Sequence, residues 1–151
     1  MIVEKQIEDA ILEKIRKLDL PDVRVVGAWS IAGEGEVKGE SDESGAVVAV
    51  AVAPRSYDGF MSPQADVNCS IALAVRRDVC PTGSDIAELT EPIFQLLDHW
   101  NRDEDAVYTD LTTEGFSPGG LQLTGGDGPV YDSASGVWNI AQTFTLRGIV
   151  N

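Results

Sequence analysis

From Gly136 the chain reads GVWNIAQTFTLRGIV, a run that alternates in character almost to its last residue. Trp138, Ile140, Gln142, Phe144 and Leu146 fall on one side of an extended chain. Val137, Ala141, Thr143, Thr145 and Arg147 fall on the other. A period of two places successive side chains on opposite faces of a sheet, so this segment is a long strand. Any fold for the chain has to accommodate it.

Two more runs are strands of the same kind. AVVAVAVA, residues 46–53, is the most apolar stretch, half of it valine, and eight residues suit a central strand buried on both faces. In DVNCSIALAVRRD, residues 66–78, the side chains of Val67, Cys69, Ile71, Leu73 and Val75 all point one way. VRVVGAWSI, from Val23, is a further strand by its β-branched content. Residues 106–112 (AVYTDLT) and 119–124 (GGLQLT) are shorter strand candidates.

Helices flank these runs. Val3, Ile7, Ala10, Ile11, Ile15 and Leu18 recur at helical spacing, with Glu4, Glu8, Lys14 and Lys17 off the stripe, and Pro21 ends the helix. A second helix follows CPTGSD, capped by Ser84 or Asp85, with Asp85 and Glu88 at capping-box spacing. Its stripe is Ile86, Leu89, Ile93, Leu96, Leu97 and Trp100; Pro92 predicts a kink, or a new start capped by Thr90. The order α-β-β-β-α-β-β-β predicts one α+β domain over residues 1–151, a mostly antiparallel sheet with two helices packed on one side.

Charge narrows the function. A formal net charge of −14 argues against binding nucleic acid through its phosphates and against anionic membrane surfaces. It suits a surface that polyanions pass without sticking. No segment has the roughly 18 apolar residues of a membrane span, and charges interrupt the N-terminal run too often for a signal peptide. Cys69 and Cys80 are expected to be reduced, half-buried fillers in a chain that folds in the cytoplasm.

The chemical motifs fail one by one. Gly33, Gly35 and Gly39 are spaced wrongly for a dinucleotide loop and are interleaved with Glu34, Glu36 and Lys38. GGDGP at residues 125–129 leads into a strand, whereas a phosphate cradle needs a helix N-terminus; it reads as turn chemistry. Asn101, Asp103 and Asp105 open like a calcium loop, but Ala106 and Thr112 stand where the glycine and the bidentate acid belong. One histidine, His99, makes no zinc site and has no nucleophile motif beside it; it is expected at the carbonyl end of its helix. Neither cofactor, metal nor catalytic residue is expected. The aromatics Trp29, Tyr57, Phe60, Tyr108 and Trp138 lack interleaved basic residues, so packing and protein contact explain them better than base stacking.

One likeness adds to this. GDGPVYDSASGVWNIAQTFTLRGIV resembles the ending of the tail terminator (tail completion, minor tail) proteins of long-tailed bacteriophages. There an acidic turn runs into a G-[VIL]-W step and a long alternating strand. The matching positions are Tyr131, Asp132, Gly136, Val137, Trp138 and the strand through Ile149. KQIEDAILEKIRKLDL is similar to the family's N-terminal amphipathic helix, and VNCSIALAVRRDVCPTGSDIAELTEPIFQLL to its strand–loop–helix middle. PRSYDGFMSPQ and the strand pair before the final hairpin depart from the pattern, which keeps a head–tail connector class open. A small host ligand-binding or enzymatic α+β domain is the alternative of a different kind.

The resemblance implies a non-enzymatic virion protein, assembled in the host cytoplasm. It would form a homo-oligomeric ring, a hexamer, that caps the tail tube, stops its growth and meets neck or head connector proteins. Its partners would be further copies of itself, the tail-tube protein and the connectors. DNA would pass through without specific binding, and no membrane is involved. Glu34, Glu36, Glu40, Asp42 and Glu43 are candidates for the acidic lumen or rim, the other reading being a solvated hairpin tip. Tyr57, Phe60 and Met61 are candidates for contact with a neighbouring subunit or the tube, the other reading being a loop folded over its own core. SASG is expected to turn the final hairpin, with Trp138 beginning the returning strand.

Overall fold

A computed structural model describes residues 2–18, 20, 22–29 and 45–151. The acidic segment with Glu34, Glu36, Glu40, Asp42 and Glu43 lies outside the described residues.

The elements run α1 (Val3–Arg16), β1 (Arg24–Gly27), β2 (Ala46–Val52), β3 (Ser56–Tyr57), β4 (Gln64–Arg76), α2 (Gly83–Arg102), α3 (Glu104–Leu111), β5 (Phe116–Asp132) and β6 (Val137–Val150). The sheet order is β1-β2-β4-β6-β5, with β3 also paired to β4. Among the described residues only β1 and β2 pair in parallel; the other pairs are antiparallel, so the class is α+β as expected.

The alternation read from sequence sets the layering. Val48, Leu73 and Ile140 stand abreast on β2, β4 and β6, and Val67, Cys69, Phe144 and Leu146 share their face. All three helices pack on that face, α1 over β1 and β2, α2 and α3 over β5. Ile7, Ile11, Ile93, Leu97, Trp100, Val107 and Leu111 complete one core. Burying such side chains supplies most of the driving force for folding.

Among the described residues there are three helices where two were expected. Residues expected as a strand from Ala106 form α3, because Asp103 accepts from the amides of Asp105 and Ala106 and caps a new helix. Val107 and Leu111, one turn apart, then both reach the core. The calcium-like carboxylates are thus a helix cap, and Asn101 accepts from the amide of Leu123. The cap of α2 is Thr82, whose hydroxyl and Asp85 form the capping box, one turn earlier than the sequence reading placed it. The helix runs unbroken through Pro92, and Thr90 is an interior residue bonded back to the carbonyls of Ile86 and Ala87. Packing of the apolar stripe outweighs the lost amide.

Two further expectations change. Among the described residues β2 has helices on one face only; on the other Val47 is buried, Ala49 half-buried and Ala51 exposed. GGDGP does not turn the chain. It lies within β5, where register shifts at Leu123/Gly125 and Asp127/Val130 absorb the surplus residues as bulges while pairing with β6 continues.

Candidate functional site

Among the described residues, no helix packs on the second face of the sheet. Ala49, Ala72 and Ala141 stand abreast there, as do Ala51, Ser70 and Thr143. These side chains are small and uncharged, on a chain of net charge −14. A shallow depression of about 390 Å³ opens beside them, lined in part by Ala51, Ala53, Asn68 and Phe144. Toward the end of β6, Arg147 bonds Asp66 across the strands at 3.0 Å.

The segment PRSYDGFMSPQ is no long loop. After Val52 the chain continues along β4 as β3, where Ser56 and Tyr57 pair with Asp66 and Ala65, so the segment is the tip of a hairpin. Asp58 donates its amide to the carbonyl of Gln64 at 3.0 Å, and Ser62 donates to Gly59. Remote residues pin this tip. Arg147 bonds both carboxylate oxygens of Asp58, and Asp58 and Asp66 together hold its guanidinium above the ordinary arginine range. At the root, Glu4 accepts from the Arg55 guanidinium at 2.8 Å and from the Arg55 amide at 3.0 Å. Val150 donates to the carbonyl of Pro63 at 2.9 Å.

On this pinned tip Phe60 is 97% exposed and Met61 88% exposed, the latter at φ +63°. Tyr57 is about half exposed, 6.0 Å below the Arg55 guanidinium. The structure therefore brings the three together, and none folds over its own core.

The other end of the sheet carries the second hairpin tip. Asp132 accepts from the Ala134 amide and the Ser135 hydroxyl, and its carbonyl accepts from Gly136 at 2.9 Å. Gly136 sits at φ +70°, a conformation glycine adopts without a Cβ penalty. SASG thus turns the hairpin where the sequence put the turn. Tyr131 and Trp138 are cross-strand partners with ring centroids 5.1 Å apart. The Arg77 guanidinium lies 6.0 Å from the Tyr131 ring, and with Pro81 these residues line a cleft of about 280 Å³. The Trp138 indole N–H is buried and meets no acceptor among the described residues.

Sequence reasoning missed two buried carboxylates on α1. Glu4 is 5% exposed and Glu8 fully buried, although both read as off the apolar stripe. Glu8 accepts the Trp29 amide at 2.9 Å through one oxygen, the other has no partner among the described residues, and Gly27 leaves the space that the carboxylate fills. Burial raises the Glu8 pKa, partly offset by that amide. Cys69 is buried rather than half-buried, and burial, then the Glu8 charge, pushes its thiol up to about 12. Burial, then Asp85, raises Cys80. Both thiols are protonated at neutral pH and poor nucleophiles. His99 is exposed in the last turn of α2.

The fold has a solved counterpart. The chain is similar in structure to a chain from the virion of a native gene transfer agent particle, with TM-score 0.55 and 14% identity over 94% of this chain and 93% of the other. The likeness therefore spans the whole architecture, from α1 to β6. No protein-family model and no curated protein matches the chain.

Proposed function

We propose that this chain is a virion structural protein, a tail terminator whose ring caps the tail tube, halts its growth and offers a surface to neck or head proteins. The whole-length fold likeness to a component of a gene transfer agent virion carries the reading. The Phe60–Met61 tip supports it, because an exposed apolar and aromatic pair is the kind of group enriched in protein contacts. An uncharged centre of the sheet face, at Ala49, Ala72, Ala141, Ala51, Ser70 and Thr143, supports it too, since like-charged copies meet there with least repulsion. In this reading the ring is a homohexamer, its role is non-enzymatic, and Tyr57, Phe60 and Met61 contact a neighbour or the tube. The acidic segment with Glu34, Glu36, Glu40, Asp42 and Glu43 faces the lumen or rim, where its charge lets DNA pass unbound.

Electron microscopy of the purified protein mixed with tail-tube protein tests this. Tubes capped at one end by added density, and limited in length, are expected. Bare tubes of uncontrolled length overturn termination. Density that binds neck proteins but never a tube assigns the chain to the head–tail connectors.

A further inference from the structure

The two hairpin tips differ in a complementary way. They lie at opposite ends of β4, whose thirteen residues separate them by about 40 Å. One end presents Phe60 and Met61 to solvent. The other holds the cleft between Arg77, Pro81, Tyr131 and Trp138. We propose that the cleft receives the Phe60–Met61 tip of a second copy of this chain, giving a head-to-tail contact between copies. This deepens the ring reading and rests on it.

Three observations select the occupant. The cleft is aromatic, and a phenyl ring or thioether packs well against tyrosine and tryptophan. Tyr131 and Trp138 stand side by side there as cross-strand partners, ring centroids 5.1 Å apart, so one incoming side chain can meet both rings. Its one charged residue is a cation, Arg77, which forms no ion pair among the described residues. On a chain of net charge −14, a positive cleft attracts another copy of the same chain. Because knob and cleft sit at opposite ends, the contact joins unlike patches. Such a contact closes into a ring when its rotation permits and extends into a filament when it does not.

Complementation of two full-length variants tests the contact. Phe60→Ser with Met61→Asn removes the knob and keeps the cleft; asparagine tolerates the positive φ of residue 61. Arg77→Glu blocks the cleft and keeps the knob. Tyr108→Ser, which removes an exposed aromatic on α3, is the control. Sedimentation velocity is run on each chain up to millimolar concentration.

Wild type and the Tyr108 variant are expected to associate alike. Each interface variant should associate about thirtyfold more weakly, the scale of losing a hot spot. A mixture of the two should form a dimer and stop there, since it keeps one intact knob and one intact cleft. A wild-type chain monomeric throughout the range overturns the contact. So does a wild-type oligomer that both variants form equally well, and that outcome leaves the ring reading standing. Association through the tips by a chain that never caps a tube leaves the contact standing and removes the terminator role.

Discussion

The two hairpin tips solve the same problem by different means. Between Asp132 and Gly136 the turn is closed by its own residues: a carboxylate bonded two and three positions ahead, then a glycine at positive φ. Between Asp58 and Gln64 the neighbours supply little, and the tip is held by Arg147, 89 positions away, and by Glu4, 51 positions before Arg55. The local turn leaves its tip polar and its aromatics half-buried behind it. The remotely pinned tip is free to present Phe60 and Met61, because neither is needed to make the turn. The tip proposed to meet a partner is thus held from behind.

The largest effect is expected at the pinned end. A Cβ on Gly148 meets the Ser117 carbonyl oxygen at 2.4 Å and Pro118 Cα at 2.8 Å, both backbone, where β5 and β6 approach. Gly148→Ala should cost about 2–3 kcal/mol in urea unfolding and loosen the 58–63 tip, since Arg147 moves with its neighbour. A next step down lies at the other end. Gly136 has open space around it, so Gly136→Val pays only for positive φ, about 1–2 kcal/mol, and Gly136→Asn should recover much of that. If Asn costs as much as Val, the turn is not held by local conformation and the contrast fails.

The same contrast decides what could be read from sequence. SASG and Trp138 were legible because turn and anchor are neighbours, β4 and β6 because alternation is a local pattern, and β2 because its run is valine-rich and apolar. The 58–63 tip read as a loop, since nothing within PRSYDGFMSPQ announces Arg147 as its partner. GGDGP read as a turn, since glycine and proline signal turns; its bulges exist only because β6 pairs alongside. Glu4 and Glu8 read as solvent-facing because helix periodicity counts apolar residues and cannot see Arg55 or the Trp29 amide waiting above them. Tyr108 lent α3 a strand-like look that the Asp103 cap overrules. The candidate contact residues Tyr57, Phe60 and Met61 were legible as aromatic and apolar residues in a polar segment, whereas the cleft at Arg77 needed three elements folded together.

A smaller effect separates both tips from the core between them. Glu8 belongs to neither end, and its pKa is raised in the folded chain. The folded state therefore binds the Glu8 proton more readily than the unfolded state does. Stability from this group rises as pH falls from neutrality toward the ordinary carboxylate value of 4.5, and is lost as pH rises through the folded value. Glu8→Gln should flatten that slope in urea unfolding series at several pH values. Hydrogen exchange at the two tips should keep its rank order across the same window. A slope that survives in the Gln variant assigns the pH response to another group.

The smallest effect on global stability tests the contrast most directly. Arg147 is exposed, so Arg147→Ala should leave the urea midpoint nearly unchanged, as expected for surface ion pairs. Its consequence should be local: amide exchange at Asp58, Ser62 and Gln64 rises several-fold together, because one remote clamp orders the whole tip. Asp132→Ala should speed exchange at Ala134 while Gly136, bonded to the residue 132 carbonyl, keeps most of its protection. The two tips thus differ in how many amides one side chain governs. Unchanged exchange over residues 58–64 in the Arg147 variant would mean that this tip, too, is encoded by its own residues. Phe60 would then stand exposed without the support from behind that its proposed contact role calls on.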